Sequence, residues 1–229
     1  MRNSLILLSA MSLILASVTS GSVKKGEVEL EFLGGLSIQN AADGSDQDDI
    51  LAGGTGGDFD AWFVSGGISW FRTDNLQLGV AGFYSSMDGS ETVSLVPAPA
   101  FPEVQNVYDV DVDLTMYGAG GRAKWHFNPT GQWVPFIGIQ ASWATADIDV
   151  SGNSAIVING VTAPDSEAQI SGSDSASGIL WGPILGFRLQ LGERDELVLE
   201  YQYRLWAGSI GDTLDDGHAI AIGISHRLN

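Results

Sequence analysis

Apolar and polar side chains alternate with a period of two along most of this chain, the repeat of a strand that turns one face to an apolar medium. In residues 28–38, Val28, Leu30, Phe32, Leu36 and Ile38 share one parity, while Glu29, Glu31, Gly35 and Ser37 hold the other. Residues 60–71 set Trp62, Val64, Ile68 and Trp70 against Ser65, Gly67 and Ser69. The next run sets Leu76, Leu78, Val80 and Tyr84 against Gln77, Gly79, Ala81 and Ser85. The pattern returns in 117–127, with Tyr117, Ala119, Ala123, Trp125 and Phe127 opposite Arg122 and Lys124, and in 133–143, with Trp133, Ile137, Ile139 and Trp143 opposite Gln140 and Ser142. Residues 179–191, 197–205 and a final segment ending at Leu228 repeat it; there Trp181, Leu185, Tyr201, Tyr203, Ile220 and Ile224 oppose Arg188, Glu200, Arg204 and Arg227.

Eight strands are therefore predicted. Three connections are short turns, at 72–75, 128–131 and 192–196. Four are longer and rich in Gly, Ser, Asp and Pro, covering roughly residues 40–58, 86–112, 145–175 and 207–217. Short connections alternating with long ones, on an even strand count, are the sequence form of a transmembrane β-barrel. The predicted fold class is all-β: an eight-stranded antiparallel up-and-down transmembrane β-barrel with short periplasmic turns and long outer loops.

Aromatic spacing supports this reading independently. Trp62 and Trp70 stand eight residues apart on the apolar parity, as do Tyr117 and Trp125; Trp133 and Trp143 stand ten apart. Eight residues at ~3.3 Å rise and ~40° tilt cover ~20 Å, close to the ~25 Å apolar band between aromatic girdles. The predicted girdle comprises Trp62, Trp70, Tyr117, Trp125, Trp133, Trp143, Trp181, Tyr201 and Tyr203.

One segment conflicts with the alternation. Val110, Val112, Leu114 and Met116 are even-numbered, whereas the apolar parity of 117–127 is odd. Turning the even parity outward throughout would place Arg122 and Lys124 in lipid, at ~2–4 kcal/mol each near the midplane. Either a bulge near 116–121 absorbs the slip, or 110–116 continues above the membrane, where parity is unconstrained.

Residues 1–20 read MRNSLILLSAMSLILASVTS. A basic residue, an apolar stretch too short to span as a helix and small residues at the end form a secretory signal peptide, leaving 21–229 as the barrel. No apolar run of helix-spanning length follows.

Composition narrows the chemistry. Ten Lys and Arg face 28 Asp and Glu, for a formal net charge of −18, which argues against nucleic acid as a partner. The absence of Cys excludes thiolate metal sites, thiol nucleophiles and disulfides. Neither a catalytic constellation nor a cofactor or metal motif stands out, and no enzyme activity is expected.

The stretch Tyr117–Asn128 (YGAGGRAKWHFN), the run Pro135 to Ile139 and the triplet Trp181-Gly182-Pro183 resemble the outer membrane protein beta-barrel domain family, the small eight-stranded OmpA/OmpX-type barrels and opacity-like surface proteins. The resemblance covers residues 26–229. It implies a cell outer membrane location, contact with outer-membrane lipids and lipopolysaccharide, and insertion by the outer-membrane assembly machinery. Such barrels usually end in an aromatic residue; this chain ends Arg227-Leu228-Asn229.

Glu29, Glu31, Arg122, Lys124, Arg188, Glu200, Arg204 and Arg227 all fall on the inward parity. An eight-stranded interior is just wide enough for side chains to fill, so these charges must pair. They predict an ionic plug, with Glu200 compensating Arg188, Arg204 and Arg122; the alternative is a narrow porin-like path whose pairs exchange. The expected role is structural or surface interaction, with a small-solute channel and an outer-leaflet lipid-modifying enzyme as alternatives. The outer connections carry Asp43, Asp46, Asp48, Asp49, Asp109, Asp111, Asp113, Asp147, Asp149, Asp212, Asp215 and Asp216. Carboxylates suit Ca²⁺, and weak Ca²⁺ binding is an expectation there, although DGSDQDDI lacks EF-hand spacing. His126, His218 and His226 sit at strand ends and read as interfacial.

Overall fold

The computed structural model describes residues 24–41, 58–95, 104–158, 161–164, 166–212 and 214–228. The signal segment predicted for 1–20 and the acidic residues Asp43, Asp46, Asp48 and Asp49 lie outside these residues.

Nine strands follow in chain order: β1 (Val28–Ala41), β2 (Asp58–Phe71), β3 (Leu76–Leu95), β4 (Val104–His126), β5 (Trp133–Ile158), β6 (Val161–Thr162), β7 (Ala168–Gln190), β8 (Asp195–Gly208) and β9 (Leu214–Arg227). Two-residue β6 only folds back on the end of β5. The other eight form the predicted ring. Neighbours pair antiparallel from β1 through β5, β5 pairs with β7, and β9 returns to β1. Closure satisfies the backbone donors and acceptors of both edge strands, which an apolar surround requires.

The wall has unequal height. β1, β2, β8 and β9 have 14 residues each; β3 has 20, β4 and β7 have 23, and β5 has 26. An extra nine residues extend a strand by ~30 Å. The segments 86–112 and 145–175, expected as loops, are therefore mostly strand. The expected connection at 207–217 also shrinks, to a 3₁₀ turn at Ser209–Asp212 between β8 and β9.

β4 shows why these extensions look like loops in sequence. It keeps one register against both β3 and β5, so no bulge occurs near 116–121 and the strand simply continues. Met116, Leu114, Val112 and Val110 point inward and are buried, while Tyr117 and Trp125 point outward. What changes is the surround. Up to the level of Tyr84, Tyr117 and Trp143 the outward positions are apolar, including Val80, Trp125, Ile137 and Ile139. Beyond it, Asp88, Asp111, Asp113, Asp147 and Asp149 are the exposed outward residues. The strand inverts its amphipathicity without changing its parity.

Among the described residues the ladder is irregular at two points, the first a register shift between Gln39 and Ala41 where β1 meets β9. At the second, β7 pairs with β8 at Trp181↔Leu205 and resumes at Ile184↔Gln202. Pro183, within the gap, has no N–H to donate. Gly182 has φ +155°, and a Cβ there would clash with the Tyr203 carbonyl oxygen.

Candidate functional site

The barrel lumen gathers most of the buried polar chemistry, in two stacked tiers. The tier nearest the short turns is ionic. Arg188 is fully buried and grips Glu29 with both terminal nitrogens, at 3.1 and 2.6 Å. Its Nη1 also lies 2.9 Å from Glu196, and its Nη2 lies 3.6 Å from Glu31. Two parallel N–H donors on one carboxylate is the strong geometry for arginine. Arg227 donates to Glu196 Oε1 at 2.5 Å. Glu31 receives Arg122 Nη1 at 2.5 Å and Lys124 Nζ at 3.0 Å on each oxygen. Lys124 Nζ also stands 2.6 Å from Glu200. These links join β1, β4, β7, β8 and β9 across the lumen.

Neutral groups complete the tier. Gln77 Nε2 donates to Glu29 at 2.8 Å and to Ser69 Oγ at 2.6 Å, and its Oε1 lies 3.0 Å from His126 Nε2. Ser225 donates to Glu29 at 3.0 Å. Gln202 donates to Glu200 at 2.7 Å. Lys124 and Arg188 also lie over the rings of Phe136 and Phe71, at 4.9 and 5.8 Å. Buried carboxylates are held by charge and hydrogen bonds together, the condition for keeping them ionised away from bulk water.

All eight charges assigned to the interior from parity are placed there, with one rearrangement. Glu200 does not pair with Arg188, Arg204 or Arg122; its ion pair is with Lys124, and Arg188 takes Glu29 and Glu196 instead. The register explains this. Glu200 lies opposite Gly186 while Arg188 lies opposite Val198, so the inward neighbour facing Arg188 is Val198 rather than Glu200. Sequence alone puts Glu196 in the turn at 192–196, whereas β8 begins at Asp195 and carries Glu196 into the lumen. Its even number, shared with Glu200 and Arg204, was the available signal. His126 is a second correction: it is buried against Phe71 and Phe136 rather than interfacial.

The outer tier is apolar. Met87, Val110, Val112, Leu114, Met116, Ala144, Ala146 and Ile148 pack together with Ala61, Ala176, Ile210 and Leu214. Trp206 and Phe83 pack against this cluster. Ile210 belongs to the 3₁₀ turn, which thereby folds over the mouth on the low side of the wall.

On the outer surface, the expected girdle residues Trp62, Trp70, Tyr117, Trp125, Trp133, Trp143 and Trp181 are all exposed. Tyr201 and Tyr203 are half-buried. Tyr201 Oη lies 2.6 Å from His218 Nδ1, and the Tyr203 hydroxyl donates to Asp216. Val64, Ile68, Ile139, Leu185, Ile220 and Ile224 fill the belt between the aromatic rows. An exposed apolar belt of this extent is far beyond what a water-soluble monomer carries, and its cover is lipid. Of the acidic residues, Asp109, Asp111, Asp113, Asp147 and Asp149 stand on strands beyond the belt. Among the described residues, no group of three or more His, Asp or Glu is arranged to hold a metal ion.

Similar solved structures include Neisserial surface protein A, with 14% identity, a TM-score of 0.47 and coverage of 86% of this chain and 96% of that one. Ail, the attachment invasion locus protein of Yersinia pestis, has 12% identity and a TM-score of 0.42, with coverage of 89% and 99%. The outer membrane protein OprG from Pseudomonas aeruginosa has 11% identity and a TM-score of 0.43, with coverage of 93% and 100%. No curated protein matches the chain. The family model for the outer membrane protein beta-barrel domain matches residues 5–227, and the chain belongs to that family.

Proposed function

We propose that this protein is a closed outer-membrane barrel whose work is done at its outer rim, as a structural or surface-interaction element without an open pore. The observation that carries the reading is the filling of the lumen twice over. An ion entering from the short-turn side meets charges that are already paired with one another. Beyond them it would have to strip its hydration shell to cross Met87, Leu114, Met116 and Ile148, which offer no polar replacement. The tall wall of β3, β4, β5 and β7 then presents an acidic sheet to the surroundings. Lipid, including lipopolysaccharide in the outer leaflet, covers the apolar belt below it. Nothing in this role requires a cofactor or a catalytic group.

Planar-bilayer recording tests the reading. The purified barrel should insert without resolvable single-channel current. A stable conductance would favour the small-solute channel, with the Glu31–Lys124–Glu200 exchange as its gate. Carbonate washing of cell membranes tests the location: the protein should stay with the outer-membrane fraction.

A further inference from the structure

Where the two tiers meet, the charges do not balance. Among the described residues, five cations enter the lumen, Arg122, Lys124, Arg188, Arg204 and Arg227, against four buried carboxylates, Glu29, Glu31, Glu196 and Glu200. Each of the four other cations lies within 4.0 Å of a carboxylate. Among the described residues Arg204 does not: its hydrogen bonds go to neutral oxygens, Gln202 Oε1 at 3.2 and 3.1 Å and Ser37 Oγ at 3.3 Å. Its guanidinium also lies 4.3 Å over the Phe63 ring. Glu27 does not supply the missing charge. It approaches Arg227 at 3.9 Å, near Glu29, whereas Arg204 reaches Ser37, eight residues further along β1.

Arg204 is 2% exposed. It carries five N–H donors and does not shed its proton. Three hydrogen bonds leave two of those donors without an acceptor among the described residues. Beside it is a cavity of about 20 Å³ lined by Arg204, Arg122, Gln140, Gln202, Ser142 and Phe83, among others, with no acidic residue on its wall. Arg122 spends only Nη1 on Glu31, so it too has donors to offer. Glu200, hydrogen-bonded to the same Gln202, is an opposite charge that acts on Arg204 from beyond ion-pair distance; a buried cation with no carboxylate in contact remains costly. A space of this size holds about one water-sized particle, too little for a phosphate or a carboxylate-bearing solute.

We propose that this cavity is a buried site for one monatomic anion, chloride in a natural setting, held between the Arg204 and Arg122 guanidinium groups. The anion restores the charge balance where the ionic tier gives way to the apolar one. Gln140 and Ser142 supply amide and hydroxyl donors. Gln202, already accepting from Arg204 and from Gln140 at 3.2 Å, keeps its oxygen turned to the donors that hold it. This site is independent of whether the lumen conducts.

The test uses the full barrel, refolded in detergent. Crystals soaked in bromide should show one anomalous peak inside the cavity. The unfolding midpoint should be higher in sodium chloride than in sodium gluconate at equal ionic strength. It should rise by about 3–5 °C per tenfold chloride once the site is filling. Arg204→Gln, a neutral side chain of similar polarity, should lose both the peak and the chloride dependence. The wild-type measurements stand alone if that variant does not refold. A wild-type cavity without anomalous signal, together with equal midpoints in the two salts, would overturn the site.

Discussion

The two tiers of the lumen fill the same cylinder by opposite means. Near the short turns, charged and amide side chains point in beside Phe71, Phe136, Ile184 and Val198, and the outward ones are apolar; beyond the level of Tyr117 the inward residues are apolar and the outward ones include a row of Asp. The strands, parity and register run unbroken through both in β4 and β5. What differs is the medium outside. Against lipid, the apolar side chains are needed outside, so a narrow interior receives what is left and must satisfy it by pairing. Where the wall stands in water, the arrangement reverts to that of a soluble protein, with an apolar core and a charged surface.

The comparison is broken most severely by removing the hub of the ionic tier. Arg188→Met replaces the guanidinium with a side chain that still fills space, but Glu29 loses its two-pronged counter-charge and Glu196 keeps only Arg227. Breaking a buried pair by removing one partner costs ~3–5 kcal/mol. The expected outcome is a large drop in the urea midpoint of the refolded barrel, or loss of the heat-modifiable folded band on a gel. A midpoint within error of wild type would mean that water, rather than protein, compensates those carboxylates.

The apolar tier should respond through cavity formation instead. Met116 is fully buried at the centre of its cluster. Met116→Ala should cost ~2–5 kcal/mol, the range for emptying a packed core position. Its conductance should stay closed, because the ionic tier beneath is untouched. If Met116→Ala opened a current, the apolar tier alone would be the barrier.

Glu200 sharpens the contrast at a smaller scale. Glu200→Ala removes the acceptor of Lys124 and of Gln202, but Lys124 keeps Glu31. The loss should therefore fall at or below the low end of the buried-pair range, ~3 kcal/mol. Glu193→Ala, in the exposed turn before β8, should change the midpoint by no more than ~0.5 kcal/mol. Equal effects from the two substitutions would show that Glu200 is not part of a charge network.

This division also sets what can be read from the sequence. The barrel strands were legible because an apolar outside and polar inside give a clean period of two, and three tight turns mark the hairpins. The extensions of β3, β4, β5 and β7 were not, because Asp, Ser and Gly at outward positions resemble loop composition. The inversion was visible only as the parity conflict at Val110–Met116. Inward residues follow from parity alone, so the charges of the lumen are legible apart from Glu196, which the turn at 192–196 hides; their partners are not. Pairing across the lumen depends on strand register, and a one-position difference in height sends Arg188 to Glu29 rather than Glu200.

The smallest effect belongs to the outer face of the tall wall. Asp88 pairs with Asp113 across β3 and β4, and Asp113 pairs with Asp149 across β4 and β5, so three carboxylates stand in one exposed row. Like charges directly opposite on adjacent strands repel, and such pairs are worth less than about 1 kcal/mol. Asp113 sits in the middle of the row. Asp113→Asn keeps the shape and removes the central charge, so it should raise the unfolding midpoint slightly. The gain should shrink as salt rises, because the Debye length falls from ~30 Å at 0.01 M to ~3 Å at 1 M. The pairs of Arg188 with Glu29 and Glu196 are fully buried, so the loss caused by Arg188→Met should change far less over the same range. A salt dependence of equal size in both variants would place the lower tier in contact with bulk water and remove the distinction between the two halves.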